Sequence, residues 1–168
     1  MAESKVERLR NVVLVGHSSA GKTSLAEAML FDAGVTTRLG TVAEGNTVSD
    51  YDPEEVRRHI SVNTSVLPIP WRDHQLNVLD TPGYIDFAGE VKGAMRVADG
   101  ALFVVDAVSG PEVGTELSWG YADERKLPRM VFVNKMEREN ASFQRTLEQL
   151  RAAFEGTLIP LQLPIGSE

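Results

Sequence analysis

The chain has 168 residues, 42% of them hydrophobic, and carries a formal net charge of −7. This length suits one domain with a single core, and the acidic balance excludes the generally basic surface typical of nucleic-acid-binding domains. The absence of cysteine excludes disulfides and thiolate sites, and the three histidines lack the paired spacing of a zinc site. The charged N-terminus lacks a secretory signal and no run is apolar enough to cross a membrane, so we expect a cytoplasmic protein with no membrane partner.

The first predicted elements are a strand over residues 11–15 and a helix over residues 22–33, which Gly34 ends. The connection between them consists of Gly16, His17, Ser18, Ser19, Ala20, Gly21, Lys22 and Thr23, with Ser24 next. Glycines at both ends let several backbone N–H groups of such a loop surround one anion, and the lysine adds a positive charge. The threonine hydroxyl is a ligand type that Mg2+ takes beside a nucleotide phosphate. The loop therefore predicts a bound nucleoside triphosphate.

Residues 16–20 also approximate the Gly-x-Ser-x-Gly pattern of a nucleophile elbow, with Ala20 in place of the final glycine. In that interpretation Ser18 is a nucleophile, which needs an acid and then a histidine further along the chain. Only His59 and His74 follow Ser18, and both precede the strand that ends at Asp80. The phosphate-binding interpretation is therefore favoured over a hydrolase and over a plain turn.

The next stretch, residues 35–59, is rich in Gly, Thr, Asp and Glu and has no convincing period, so we predict a mobile loop that the nucleotide can order. Residues 61–71 and 75–79 then predict two strands, joined by a turn too tight for a parallel crossover. We expect one antiparallel pair at the edge of the sheet. Short basic clusters at residues 57–59 and 125–126 are more typical of solvated surface than of a nucleic-acid site.

The rest of the chain alternates helices with buried strands. The predicted helices are residues 83–97, 112–125 and one with a core face of Phe143, Leu147, Leu150 and Phe154. The predicted strands are residues 101–105 and 129–133, and a strand-like run, residues 158–163, that Pro160 and Pro164 confine to an edge or to irregular backbone. The whole pattern predicts an α/β fold, mainly parallel, with helices on both faces.

Two further motifs follow predicted strands, at the edge where a parallel sheet presents its ligand-binding loops. The first is Asp80-Thr81-Pro82-Gly83, whose carboxylate can hold Mg2+ through water and whose glycine lets a backbone N–H approach a terminal phosphate. The second is Asn134-Lys135-Met136-Glu137, whose last carboxylate can accept the paired N–H groups of guanine. In this second motif the lysine stem can lie against the purine, and the asparagine can tie the motif to the phosphate loop.

The three motifs together resemble the signature of P-loop GTPases. The chain is further similar to the elongation factor G family over nearly its whole length, on residues 80–87, 105–110, 128–136 and 162–166. The resemblance implies a P-loop NTPase fold that binds GTP or GDP with Mg2+ and hydrolyses GTP on the ribosome, to drive translocation or recycling. It leaves open a ribosomal-protection-type GTPase, or a hydrolysis-poor GTP switch that acts through a partner.

The resemblance also implies roles for particular parts of the chain. Residues 35–61 correspond to a first switch loop, residues 80–97 to a second, and residues 158–168 to the start of an insertion that is truncated here. The ribosome would be the partner of a longer protein, and the isolated domain a monomer. The residues implied in hydrolysis are Lys22, Gly83 and Tyr84. Those implied in holding Mg2+ are Thr23, Ser61 and Asp80.

Five positions depart from the family pattern. Tyr84 replaces the histidine that positions the attacking water, which predicts slow intrinsic hydrolysis because a phenol is neutral at pH 7. Ser19 replaces an aspartate that helps to hold a monovalent cation, and Glu137 replaces the shorter aspartate that recognises guanine. His59 replaces a glycine of the first switch loop, whereas Ser61 keeps the hydroxyl of a threonine.

Overall fold

The computed structural model describes residues 6–166, so the predictions that involve residues 1–5 and 167–168 lie outside the described residues. Within them the strands are β1 Leu9–Val15, β2 Ser65–Trp71, β3 His74–Asp80, β4 Gly100–Asp106 and β5 Arg129–Asn134. The α-helices are α1 Lys22–Asp32, α2 Pro53–Arg58, α3 Ala88–Met95, α4 Val113–Glu124 and α5 Phe143–Ala153. Short 3-10 turns occur at Val6–Arg8, Val42–Glu44 and Ile85–Phe87. None of the helices in residues 6–166 is long and apolar enough to cross a membrane.

The strands form one sheet in the order β2-β3-β1-β4-β5. Strand β1 is parallel to both β3 and β4, and β4 is parallel to β5. The pair β2–β3 is antiparallel and lies at the edge, where Arg72 adopts a φ of 55° in the connecting turn. The α/β fold class and the antiparallel edge pair are therefore confirmed.

Hydrophobic side chains pack on both faces of the sheet, because successive residues of a strand point to opposite sides. On one face Leu14 packs with Ala26 and Leu30 of α1 and with side chains of β2 and β3. On the other face lie the buried side chains of α3, α4 and α5, together with Val13, Val15, Phe103 and Val105. Helices therefore cover both faces, and the carboxyl ends of β1, β3 and β5 meet at one edge.

The prediction of an irregular loop over residues 35–59 was wrong in part, because the stretch contains the Val42–Glu44 turn and helix α2. Helix α2 has only six residues, too few to show a period, and it is fixed by its first turn. Asp52 accepts a hydrogen bond from the Glu54 amide, Pro53 occupies the first helical position, and Glu55 accepts from the Asp52 amide.

Several boundaries also differ from the prediction. Strand β2 begins at Ser65, so Ser61 lies in a loop and is free to face the sheet edge. The predicted helix over residues 83–97 is a 3-10 turn followed by the shorter α3, which ends at Met95. Residues 158–163 form no strand in the described part of the chain, and their apolar side chains at Ile159 and Leu161 are exposed. Pro160 within this run and Pro164 directly after it explain the irregular backbone.

Candidate functional site

A cleft of about 300 Å3 opens at the carboxyl edge of the sheet. The phosphate-binding-type loop, residues 16–24, forms the floor of the cleft. The segment after α1, with residues 42, 50 and 59–61 in the lining, forms one wall. The lining residues are Ser18, Ser19, Gly21, Lys22, Thr23, Ser24, Val42, Asp50, His59, Ile60, Ser61, Gly83, Tyr84, Lys135 and Arg138. Three sequence-distant parts of the chain therefore meet at one cleft, as the three motifs predicted.

Both glycines of the loop are required by its geometry. Gly16 has a φ of 143°, and a Cβ there would meet the carbonyl oxygen of Val104 on the neighbouring strand. Gly21 has a φ of 102°, and the Asn134 amide occupies the place of its Cβ. The loop therefore wraps closely between β4 and the Asn134 motif, with its backbone turned toward the cleft.

Lys22 is folded back beneath the loop. Its Nζ donates to the carbonyl oxygens of Gly16 at 3.1 Å and His17 at 2.9 Å. The side chain is buried, and burial lowers the pKa of Lys22 to about 8, against the charges of Asp80 and Asp50. A Cβ on Gly83 would lie 2.5 Å from this Nζ, so the absence of a side chain there keeps the ammonium open to the cleft.

Hydroxyl and carboxylate groups gather next to Lys22. Thr23 Oγ1 donates to Asp80 Oδ2 at 2.8 Å and lies 3.2 Å from Ser61 Oγ, which donates to Asp50 Oδ1 at 2.7 Å. Burial raises the pKa of Asp80 to about 6, against the hydrogen bond from Thr23 and the charge of Lys22. The second oxygen of Asp80, Oδ1, is buried and has no hydrogen-bond partner among the described residues.

This set of oxygen atoms fits a hard divalent cation. Mg2+ prefers hydroxyl, carboxylate and water oxygens in an octahedron, and the unpartnered Asp80 Oδ1 is a buried acceptor that such a hydrated ion satisfies. Asp50 belongs to the same set, and no motif in the sequence predicted it. It lies in the stretch that showed no period, and no local pattern marks a carboxylate that folding brings to Ser61 from eleven residues away.

The Asn134 motif reaches the phosphate-binding-type loop from the other side. Asn134 Nδ2 donates to the carbonyl oxygen of Ala20 at 2.9 Å. Lys135 Nζ donates to the Ser19 carbonyl at 2.5 Å and to Asp106 Oδ2 at 2.8 Å. Burial raises the pKa of Asp106, but the hydrogen bonds from Lys135 and from backbone N–H groups hold it below its ordinary value. The predicted tie between this motif and the loop is present.

Glu137 is the one predicted base-contacting residue that lies away from the others. Its side chain is exposed and is not among the residues that line the cleft. Arg138 lines the cleft instead, with its guanidinium 3.7 Å from Asp106 Oδ2. The left-handed backbone at Lys135, with a φ of 62°, turns the chain at this point.

Tyr84 and His17 take different positions around the loop. Tyr84 is 42% exposed and lines both the cleft and a small apolar crevice beside it. His17 Nδ1 accepts from the Gly114 amide at 3.3 Å, and its Nε2 lies 3.6 Å from Glu112 Oε1, so the ring faces α4. His59 Nδ1 donates to the Val42 carbonyl at 2.8 Å. His74 Nδ1 lies 2.9 Å from Asp73 Oδ1 in the β2–β3 turn, so neither histidine that follows Ser18 is bonded to it, as the hydrolase interpretation would need.

The predicted site residues thus fall into three groups. Ten line the cleft: Ser18, Ser19, Gly21, Lys22, Thr23, Ser24, Ser61, Gly83, Tyr84 and Lys135. Five lie directly behind that lining or bonded to it: Gly16, His17, Ala20, Asp80 and Asn134. Glu137 lies outside.

Comparisons with known proteins agree with this geometry. The family described as the elongation factor Tu GTP binding domain matches residues 7–162. Elongation factor G of Granulibacter bethesdensis is 39% identical over 168 residues, which are 100% of this chain and 24% of that protein. A mitochondrial ribosome-releasing factor 2 of Drosophila sechellia is 43% identical over 161 residues, which are 96% of this chain and 23% of that protein.

A solved structure agrees as well. A crystal structure of a protein from Thermus thermophilus is 45% identical, with a TM-score of 0.82 over 85% of this chain and 22% of that one. The chain therefore spans about a quarter of the length of the relatives that it matches.

Proposed function

The chain belongs to the family of the elongation factor Tu GTP binding domain, and on this premise we propose that it binds GTP with Mg2+ and hydrolyses it within an elongation factor G-like protein. The observation that carries the proposal is the meeting of Lys22 and Thr23 in one cleft, with Asp80 bonded to Thr23 directly behind the lining and Asn134 bonded to the loop that forms the floor. In this arrangement Lys22 can bind a phosphate, Thr23 and Asp80 can hold a metal ion, and Asn134 keeps the loop in place.

The phosphate loop and Lys22 supply most of the binding in this proposal. The start of α1 directs backbone N–H groups and the helix dipole at one anion, and Lys22 lies in reach of the same space. Mg2+, when bound, neutralises phosphate charge. Thr23 and Ser61 would hold it directly, while Asp80 and Asp50 would hold it through water.

To catalyse GTP hydrolysis, a protein mainly positions the reacting groups and stabilises the charge of the transition state. Lys22 and the Gly83 backbone N–H stabilise charge on the terminal phosphate. Tyr84 borders the cleft and can orient the attacking water through its hydroxyl, but a neutral phenol gives no nearby positive charge. We therefore propose slow intrinsic hydrolysis.

Guanine recognition requires a movement near Glu137. Asn134 and Lys135 already hold the base-side motif against the phosphate loop, whereas the Glu137 carboxylate is exposed. A small rotation of the 135–138 turn would bring a carboxylate to the base, with Arg138 leaving the cleft. In this proposal the contacts to the base contribute less to the binding free energy than the contacts to the phosphates, so GTP is only modestly preferred over ATP.

The two switch-like segments, residues 35–61 and 80–97, would respond to the terminal phosphate through Ser61 and Gly83. The proposed partner of the longer protein is the ribosome, and the outcome would be translocation, recycling or ribosomal protection. Residues 158–168 would be the start of an insertion in that protein. The names of the relatives do not favour the alternative of a switch that only binds GTP. One relative is named as mitochondrial, so a cytoplasmic location and a monomeric domain stay predictions.

Calorimetric titration with GTP, GDP and ATP in the presence of Mg2+ tests the binding. We expect GTP and GDP to bind and ATP to bind more weakly. Equal binding of all three would remove guanine recognition, and no binding of any of them would overturn the proposal.

Turnover of GTP with and without ribosomes tests the translational role in the whole protein. Ribosomes are expected to accelerate hydrolysis. Turnover that ribosomes leave unchanged would overturn the translational role while leaving nucleotide binding intact.

A further inference from the structure

Glu27 is a buried carboxylate outside the group of residues assigned above. It lies on α1, four residues beyond Thr23, and is 1% exposed. One of its oxygens accepts from the Gly40 amide at 3.2 Å, and the other accepts from the Val48 amide at 2.6 Å. Because a buried carboxylate is costly unless it is hydrogen-bonded, these two amides account for its place in the fold.

The two amides come from the segment that forms one wall of the cleft. Gly40 and Val48 flank the turn Val42–Glu44, and a Cβ on Gly40 would meet the Glu27 carboxylate and lie 2.9 Å from the Asn46 carbonyl oxygen. The backbone therefore passes against α1 at a distance that suits glycine. Glu27 joins both ends of this turn to the helix that follows the phosphate loop.

We propose that Glu27 is a positioning residue that fastens residues 40–48 to α1 and thereby slows release of the bound nucleotide. The effect on nucleotide release rests on the proposed function. The attachment of residues 40–48 to α1 does not depend on it.

A short series of contacts leads from Glu27 to the cleft. Val48 precedes Asp50 by two residues, and Asp50 accepts from the Ser61 hydroxyl at 2.7 Å. Ser61 Oγ in turn lies 3.2 Å from Thr23 Oγ1. Ser49, between Val48 and Asp50, is also held, because the Ser65 hydroxyl of β2 donates to its carbonyl oxygen at 2.7 Å. Loosening of the Val48 amide therefore weakens one of the two contacts that hold Asp50, and the hydroxyl that faces Thr23, in place.

The other end of the turn leads to the same place. Val42 lines the cleft, and its carbonyl accepts from His59 Nδ1 at 2.8 Å. His59 is followed directly by Ile60 and Ser61, which also line the cleft. The turn that Glu27 holds is thus bonded to the part of the wall nearest the proposed metal ligands.

Glu55 provides an instructive contrast. It is equally buried, at 1% exposed, and accepts from the amides of Asp52, Val62 and Asn63. All of these partners lie close to Glu55 along the chain, so Glu55 holds the segment together internally. Glu27 instead connects the segment to the body of the domain.

The test uses Glu27→Gln, which keeps the size of the side chain but replaces one acceptor oxygen by an NH2 group that cannot accept a hydrogen bond. Asp99→Asn is the control for loss of an exposed carboxylate that accepts from a backbone amide, because Asp99 Oδ2 accepts from the Asn11 amide at 2.7 Å where β4 begins, at the end of the sheet away from the cleft. Gly40→Ala disturbs the same contact from the segment side, and it replaces Glu27→Gln if that variant fails to fold.

The first measurement is hydrogen exchange of individual amides by NMR, without nucleotide. Glu27→Gln is expected to speed exchange at Gly40 or Val48 by about tenfold, since one amide loses its acceptor. Asp99→Asn is expected to leave both amides unchanged. Unchanged exchange at Gly40 and Val48 in Glu27→Gln would overturn the attachment.

The second measurement is the release rate of a fluorescent GTP derivative with Mg2+. Glu27→Gln and Gly40→Ala are expected to raise this rate by about tenfold, and Asp99→Asn is not. Faster exchange of the amides with an unchanged release rate would overturn the control of nucleotide release. If the unaltered protein does not bind the derivative at all, the proposed function fails, and the exchange experiment still decides the attachment.

Discussion

The proposed phosphate side and the proposed base side of the cleft differ in how many of their side chains are already held in place. On the phosphate side Lys22, Thr23 and Asp80 are buried and hydrogen-bonded to one another or to the loop. On the base side Lys135 is bonded to protein oxygens, while Glu137 points into solvent. Because a group that is already in position costs less to use, we expect phosphate contacts to dominate the affinity of the proposed site and base recognition to require a movement.

Replacement of Lys22 tests the phosphate side most severely. We expect Lys22→Met to weaken binding of GTP and GDP on the order of 1,000-fold, because the variant could not form two charge-assisted hydrogen bonds, of about 1.5–3 kcal/mol each, from the ammonium to phosphate oxygens. Calorimetry with both nucleotides measures this. Lys126→Met, at an exposed position beyond α4, is the control. Nearly unchanged binding in Lys22→Met would mean that the phosphates lie elsewhere.

Replacement of Tyr84 tests whether the phosphate side lacks a group that hydrolysis needs. We expect Tyr84→His to raise ribosome-stimulated turnover on the order of 100-fold, because a positioned imidazole supplies the charge and proton chemistry that a phenol lacks. Single-turnover kinetics on the whole protein measure this step. If the unaltered protein is already as fast as the variant, Tyr84 does not limit hydrolysis.

Asp80 tests the metal-binding part of the same side. We expect Asp80→Asn to raise the Mg2+ concentration needed for half-maximal nucleotide binding about tenfold, because the amide holds the hydration shell of the ion less strongly. Binding measured in EDTA is expected to change little. An equal loss with and without Mg2+ would show that Asp80 supports the loop rather than the ion.

The base side is expected to give the smallest effect. Glu137→Asp should change the ratio of GTP to ATP affinity by less than about threefold, because the carboxylate is exposed before binding and the movement that brings it inward dominates its contribution. Competition of GTP and ATP for the protein measures the ratio. A tenfold gain in discrimination would contradict the comparison and indicate a base side that is already in place.

The parts of the fold that the sequence predicted well depend on local chemistry. Gly16 and Gly21 made the loop predictable, because the loop needs a positive φ at both positions and glycine is the residue that adopts such a φ freely. The turn at Arg72 was too short for a crossover, so the antiparallel edge pair followed from length alone. These features need no knowledge of what lies across the domain.

The parts that were missed depend on contacts between distant residues. Helix α2 is too short for a period and is held by Asp52 and Glu55. Asp50 and Glu27 act on partners that only folding brings near. Glu137 was predicted to contact the base from a tetrapeptide and stays a prediction, and the left-handed turn at Lys135, which precedes its exposed side chain, had no mark in that tetrapeptide. Such positions have no periodic or compositional mark in the sequence.

A crystal structure of the protein with Mg2+ and a non-hydrolysable GTP analogue decides whether the cleft binds the nucleotide. We expect the triphosphate on the backbone N–H groups of residues 18–24, beside Lys22, with the ion close to the hydroxyl groups of Thr23 and Ser61. A nucleotide bound at another surface, or phosphates that avoid Lys22, would contradict this expectation.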